Sequence, residues 1–489
     1  DRRTPLGLRF GSICLCRAGR VTPAAPGRAA PAGALRGILR RAGAVPDRTD
    51  FPLLGELTDA FEALAARHPT QIAVRQIGTS RRGEPLKAYT IGRGRLSHLV
   101  VGGVHPNEPI GSWTALHLTQ QLMEDPVLSD RLDAKWSIIP CVDPDGYRLN
   151  EGWLANPGDR ADYARHFFRP APDEQVEWTF PFSYKKAHFD RMLPETKALR
   201  DAIDLVRPDL YVPLHNSEMG GVYYYLSRDI PALHEPLRQI PRHLAIPLNE
   251  GEPEAGYLVE LAPAIFAEGS LEDVYDWFEE RGLDPFPPGS AGNSSGEYAA
   301  RVHGALCLIA ELPYWRDERV QDTRPTEESY ADLLERTGRQ TAELAEVLAE
   351  AVAQADGLVD WRTPLAHGAR AFAQMMSDAA LTTQARAREP QARRLATAAE
   401  RFGCEDTVRM FRLRYGGMMA RAVRAAIGGG RDDAALTALA DRLDARCREW
   451  CDEAAACDQS EPIPIRGLIG VQYGAILAAA SHLAGWPEL

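Results

Sequence analysis

Four short apolar runs, at residues 98–104, 136–142, 210–214 and 305–312, constrain this chain more than any other feature. Each is the length of a buried strand and too short for a helix, and helical or irregular segments separate them. The first closes on Gly102-Gly103, and residues 109–122 read as the helix that follows, with Pro109 suited to its first turn. Strands alternating with helices predict an α/β sheet covered on both faces.

Upstream, Leu54, Leu57, Phe61 and Leu64 fall at helical spacing, and β-rich runs follow at 72–77 and 86–91, so folded structure is expected from about Asp50. Residues 1–46 are rich in Arg, Ala, Pro and Gly without apolar periodicity. They read as a disordered tail, so a chain starting near Arg48 is expected to fold as well as the whole. Arg2-Arg3 is not followed by an apolar stretch of export length, because Arg9, Arg17 and Arg20 interrupt it. After Pro325 the chain turns Ala-rich, with Tyr330, Leu333, Leu334, Leu344, Val347, Leu348 and Val352 on one helical face and Gly357 as a stop. The expected organisation is a tail at 1–46, an α/β domain at 50–320 and an all-α C-terminal domain at 325–489. The helical stripes read as core in preference to a surface for a protein partner.

Charge and composition exclude several function classes. Against 56 Lys and Arg stand 68 Asp and Glu, a net charge of −12, which argues against a nucleic-acid or anionic-membrane partner. No apolar run approaches the roughly 20 residues needed to cross a bilayer. Eight cysteines in 489 residues make no disulfide framework. Cys447 and Cys451, four apart on a helix, read as packed or surface thiols, and a reducing, cytoplasmic setting is expected.

The sharpest chemical signal is His105-Pro106-Asn107-Glu108, between the first strand and its helix. A His and a Glu three apart across a turn can offer an imidazole nitrogen and a carboxylate to one Zn²⁺. The same spacing serves a hydrogen-bonded helix start, and it recurs at His215-Asn216-Ser217-Glu218, so context must discriminate. His215 follows the run 210–214 and so belongs at the carboxyl end of a neighbouring strand, where open α/β sheets place their sites. Two His and one Glu leave a fourth position for water, as catalytic zinc sites do. Glu311 ends an apolar strand, where burial would raise its proton affinity and suit it to general-base work; a salt-bridged strand terminus is the alternative. His117, His166 and His303 read as surface or core histidines.

These four anchors resemble the zinc carboxypeptidase family (metallopeptidase family M14). Ile77-Gly78-Thr79-Ser80 through Gly83 is similar to the family's early strand and turn, Asp143-Pro144-Asp145-Gly146 to its Asn-Pro-Asp-Gly turn, and Glu311-Leu312 to its catalytic Glu strand. The resemblance covers about residues 52–318. It implies a mixed sheet of about eight strands between helices, one zinc per chain on His105, Glu108 and His215, and Glu311 as general base. Glu218 is then not a ligand. The resemblance also points to Arg165 or Arg169, preferably Arg169, as the arginine that polarises the scissile carbonyl. It places Gly296 and Glu297 at the specificity loop, where a glycine implies a roomy pocket.

Departures from the family bear on substrate. Where the family carries an Asn-Arg dipeptide for the terminal carboxylate, alignment on Phe180-Pro181 gives Glu177-Trp178, and the family's covering tyrosine has no counterpart, residues 284–289 having only Phe286 as an aromatic. A carboxylate there disfavours a free α-carboxylate and attracts a cation, for which Trp178 offers a face. The expected activity is zinc-dependent hydrolysis of peptide or other amide bonds. The alternatives are an N-acyl amino acid deacylase of the desuccinylase type, or a non-catalytic zinc- or peptide-binding protein.

Overall fold

The computed structural model describes residues 29–428 and 433–489. Nine strands form one mixed sheet: β1 (Ile72–Thr79), β2 (Pro85–Ile91), β3 (Leu96–Val101), β4 (Ala134–Ile139), β5 (Leu210–Pro213), β6 (Tyr223–Leu226), β7 (Val259–Ala262), β8 (Ile265–Ala267) and β9 (Leu306–Glu311). Their spatial order is β1-β2-β4-β3-β5-β9-β6-β8-β7. The parallel centre, β4-β3-β5-β9, is built from the four apolar runs, with Val100 opposite Val212 and Leu306 opposite Leu210. Against an expected count of about eight the sheet has nine, the edge pair β7 and β8 being only four and three residues long.

Among the helices that accompany the sheet are α1 (Ala32–Gly43), α2 (Leu54–Arg67), α3 (Ile110–Glu124), α4 (Pro194–Val206), α5 (Pro231–His243) and α6 (Ser295–His303). One face of the sheet packs on α4 and α6 through Leu99, Val101, Leu199, Ile203, Tyr211 and Ala299. The other face shares a continuous core with α1, α2, α3, α5 and most of the C-terminal helices. No helix of the described residues is long and apolar enough to cross a membrane.

Beyond a short ribbon pairing Pro325–Ser329 with Leu395–Thr397, the chain is helical, as expected: α7 (Tyr330–Gln354), α8 (Pro364–Ala387), α9 (Ala398–Phe411), α10 (Gly417–Gly428), α11 (Ala434–Cys457) and α12 (Ile465–Leu483). One π-helical turn, Arg412–Gly416, joins α9 to α10. The stripe on α7 faces inward, with Leu333, Leu334, Leu344 and Leu348 buried. The expectation of a separate domain from 325 is corrected by α12. This helix returns to the sheet and packs on α1, α3 and α5, and its residues from Leu468 to Ser481 are buried without exception. A helix apolar all round must be enclosed on every side, and the sheet layer provides the enclosure.

The expected tail at 1–46 is also corrected for the part described, while residues 1–28, with Cys14, Cys16 and the arginine pair, lie outside the described residues. Residues 32–43 form α1, whose Ala34, Gly37, Ile38 and Ala42 are buried. The seam is narrow because it is made of small residues. A Cβ on Gly470 of α12 would lie 2.5 Å from the Ala42 carbonyl oxygen, and one on Gly37 would lie 2.4 Å from that of Leu489. Backbones this close gain dispersion contacts that larger side chains would prevent.

Truncation tests this packing. A chain starting at Arg48 loses α1 and uncovers the faces of α5 and α12 on which it packs. Full burial of a side chain such as Ile38 contributes about 1.5–3 kcal/mol. The melting temperature is expected to fall by several degrees; an unchanged value would mean that α1 adds nothing to the fold.

Candidate metal centre and active site

The carboxyl ends of β3, β5 and β9 lie side by side at the middle of the sheet, and each delivers one part of the site. After β3 the chain passes Gly103, at φ +62°, where a Cβ would meet Cys141 Sγ at 2.6 Å. The turn His105-Pro106-Asn107-Glu108 then closes with a hydrogen bond from Glu108 N to the His105 carbonyl (3.2 Å), and α3 begins two residues later, Pro109 standing just ahead of it. His215 lies two residues beyond β5. The Glu108 carboxylate divides itself between the two rings, Oε1 standing 3.0 Å from His105 Nδ1 and Oε2 3.1 Å from His215 Nδ1. The backbone N–H of Asn216 donates to Oε2 at 3.2 Å.

His105, Glu108 and His215 therefore converge: one ligand atom from each lies within 4.8 Å of the others, and all three residues are 4% exposed or less. Two imidazoles and a carboxylate are the donor set of an open zinc site. The electrostatics favour a cation between them. Burial, seconded by the nearby Arg169 guanidinium, pulls His105 down to about 3, which keeps that ring neutral and able to ligate. Burial also works against protonation of His215, but the hydrogen bond and charge of Glu108 outweigh it and push that ring up to about 9. Against the same burial the two imidazoles hold Glu108 below the usual carboxylate range. A buried carboxylate demands compensating positive charge, and the three donor residues are placed so that a divalent ion could add to that from Arg169.

Glu311 ends β9 at 8% exposed, with Oε1 4.0 Å from His215 Nδ1 and Oε2 buried without a protein partner. Burial raises its proton affinity well above the ordinary range, and Glu108 and Glu254 add to this against the pull of His215. That is the expected direction for a strand-end carboxylate in an apolar setting. Arg169 joins the cluster by donating from Nη1 to Glu108 Oε1 at 3.0 Å, braced by its Nε–H to Gln175 Oε1 at 3.1 Å.

The remaining candidate residues divide. Trp178 lines the site: its ring meets His105 edge-on at 4.9 Å and lies 5.3 Å beneath the Arg169 guanidinium. Glu177 sits behind it, 1% exposed, with both oxygens 2.8 Å from Ser295 Oγ. Burial, opposed by His215, raises Glu177 to about 7. Arg165 is not brought to the site; it is exposed in the last turn of a short helix, its Nε–H bonded to the Ala161 carbonyl. Gly296 makes no roomy pocket, because a Cβ there would lie 2.1 Å from Glu268 Oε1 and 2.9 Å from Cys307 Sγ. Glu297 accepts the backbone N–H of Leu271 at 3.2 Å and pairs with Arg301, so it ties two helix ends together.

Sequence reasoning missed several neighbours. Glu218, left out of the ligand set, is 1% exposed and is held by Asn107 Nδ2 and Arg414 Nη1. Gln472 of α12 donates to the His215 carbonyl at 2.8 Å. Glu254 accepts from Tyr223 and Tyr225 and acts electrostatically on Glu311. Two of these had a local signal: Arg414 stands between Leu413 and Tyr415, and Gln472 interrupts the apolar course of α12. Polar groups in such settings need a buried partner.

Residues 57–257 match the family model for zinc carboxypeptidase. Carboxypeptidase A1 of Sus scrofa is 33% identical over 107 residues, which are 20% of this chain and 25% of that protein, so the match spans a quarter of the curated relative's length. Among solved structures, carboxypeptidase A from Helicoverpa armigera is 17% identical, covering 58% of this chain and 71% of that one with a TM-score of 0.36. A metallo-carboxypeptidase from Burkholderia cenocepacia is 17% identical, covering 56% and 62% with a TM-score of 0.32. The stretch similar to the zinc carboxypeptidase family, residues 57–257, includes His105, Glu108 and His215 in their converging arrangement.

Proposed function

We propose that the protein is a zinc-dependent hydrolase of peptide or other amide bonds, metallocarboxypeptidase-like in chemistry. The observation that carries this reading is Glu311: a buried carboxylate with one oxygen unpartnered, on the strand beside a His-Glu-His cluster fitted for a metal. His105, Glu108 and His215 would hold one Zn²⁺. When bound, such an ion supplies Lewis acidity that lowers the pKa of water toward about 7. Glu311 takes the proton of the attacking water on its carboxylate and passes it to the leaving nitrogen; its raised proton affinity suits both halves of that transfer. Arg169, fixed by Gln175 and Trp178, keeps a cationic edge beside the cluster, where the substrate carbonyl gains negative charge.

The substrate class is a peptide or an acylated amino acid, and Glu177-Trp178 bears on its end group. Burial of Glu177 against Ser295 makes it a second-layer acid, with Trp178 the face that meets substrate. Neither side chain offers a positive charge to a terminal carboxylate. A substrate with an amidated or cationic end is therefore preferred over a free acid.

Three measurements test the reading. His105→Ala and His215→Ala are each expected to strip the zinc from the purified chain, measured by elemental analysis; full retention in both removes the ligand assignment. Glu311→Gln should keep zinc and fold while kcat falls by about 10²–10⁴-fold, because an amide accepts no proton. An unchanged kcat takes Glu311 out of the mechanism. Paired peptides that differ only in a free or amidated C-terminus should show higher kcat/KM for the amide; a strong preference for the acid would show that another cation binds the chain end.

A further inference from the structure

The helical region beyond residue 325 is as long as many whole domains, and the proposed chemistry uses none of it. Two of its side chains nonetheless end at the segments that carry the metal-site residues. Arg414, in the π-helical turn, is 7% exposed and pairs with Glu218, which lies 196 residues earlier. Glu218 also accepts the side-chain N–H of Asn107, the residue just before Glu108, while Tyr314 Oη donates to the Asn107 carbonyl at 2.8 Å. Glu218 holds a left-handed backbone at φ +68°, a conformation that a non-glycine residue keeps only where its surroundings fix it.

The second contact comes from α12. Gln472, 1% exposed, donates to the His215 backbone carbonyl at 2.8 Å across 257 residues of chain. Its own carbonyl oxygen accepts Thr114 Oγ1 of α3 at 2.7 Å, so the amide is held at both ends. One contact thus reaches the turn after β3 through Glu218, the other holds His215 two residues beyond β5, and both arrive from the C-terminal helical region.

We infer that Arg414 and Gln472 are positioning residues: the C-terminal helices form an internal clamp that sets the distance between the His105–Glu108 turn and His215. The inference rests on reading the cluster as a zinc centre. Neither side chain touches the three ligand side chains, so their effect reaches a metal only through where the ligand backbones stand. Partners of this outer kind commonly cost 10–100-fold in metal affinity when removed.

The test uses the full chain and zinc alone, competed against a chromogenic chelator. Two variants are compared with the native protein. Gln472→Leu removes two uncharged hydrogen bonds, the one to the His215 carbonyl and the one from Thr114. Glu218→Gln with Arg414→Met removes both members of the ion pair together, because Arg414→Met alone would bury an unpaired carboxylate and endanger folding. Far-UV circular dichroism and melting of the zinc-free protein establish that each is folded. In both variants the zinc Kd is expected to rise about 10–100-fold, with kcat reduced and KM within about twofold of native. A zinc Kd within twofold of native in folded Gln472→Leu and in the folded double variant overturns the clamp. Native protein that binds no zinc overturns the zinc reading itself and the clamp with it, whereas tight native binding with unaffected variants overturns the clamp alone.

Discussion

Everything at the head of the sheet is arranged around one buried carboxylate. Glu108 is 2% exposed, and its two oxygens serve His105, His215, Arg169 and the backbone N–H of Asn216. An isolated charge at that depth would be prohibitively costly, so the fold must bring donors to it from three separate places. The parallel register of β3 and β5 does most of this, since Val101 opposite Pro213 sets the two strand ends level. The helix-start turn supplies His105 and Glu108 together, and the irregular segment after residue 166 supplies Arg169. The ligand cluster is in this sense an electrostatic knot that the strand pairing ties.

A second buried charge pair lies one layer out. Glu218 and Arg414 are each under 10% exposed, and such a pair adds little net stability because both ions give up water. Its value is geometric. Breaking either half leaves a charge with nowhere to go, so the pair fixes the register between the site and the π-helical turn. The turn itself, one residue looser than the α-helices it joins, is where Arg414 emerges toward the sheet.

How far the sequence could be read depended on whether a signal was local. The four central strands were legible because continuous apolar runs have few other uses, and His105, Glu108, His215 and Glu311 stood out because they sit at strand ends. The helix α1 was not, since its buried face is Ala34, Gly37, Ile38 and Ala42 among arginines, and a seam of small residues has almost no hydrophobic contrast. Gly296 misled for the opposite reason: a missing side chain implies space only until a distant carboxylate, here Glu268, is known to fill it. Arg165 and Arg169 are one helical turn apart in sequence, and only the chain's exit from its short helix at Phe167 decides which one reaches Glu108. Gln472 and Arg414 have partners about 200 residues or more away, a separation that no local pattern encodes.

The return of α12 to the sheet also fixes an order of assembly. The strands β3, β5 and β9 are complete by residue 311, but the face they present toward α3 and α5 stays open until residues 465–483 have been made and have packed into it. During synthesis the His-Glu-His segments therefore exist for a further 150 or so residues without their final cover, as apolar surface that only a long-range contact can close. The sheet layer gains this cover only once Ile465–Leu483 has packed against α1, α3 and α5.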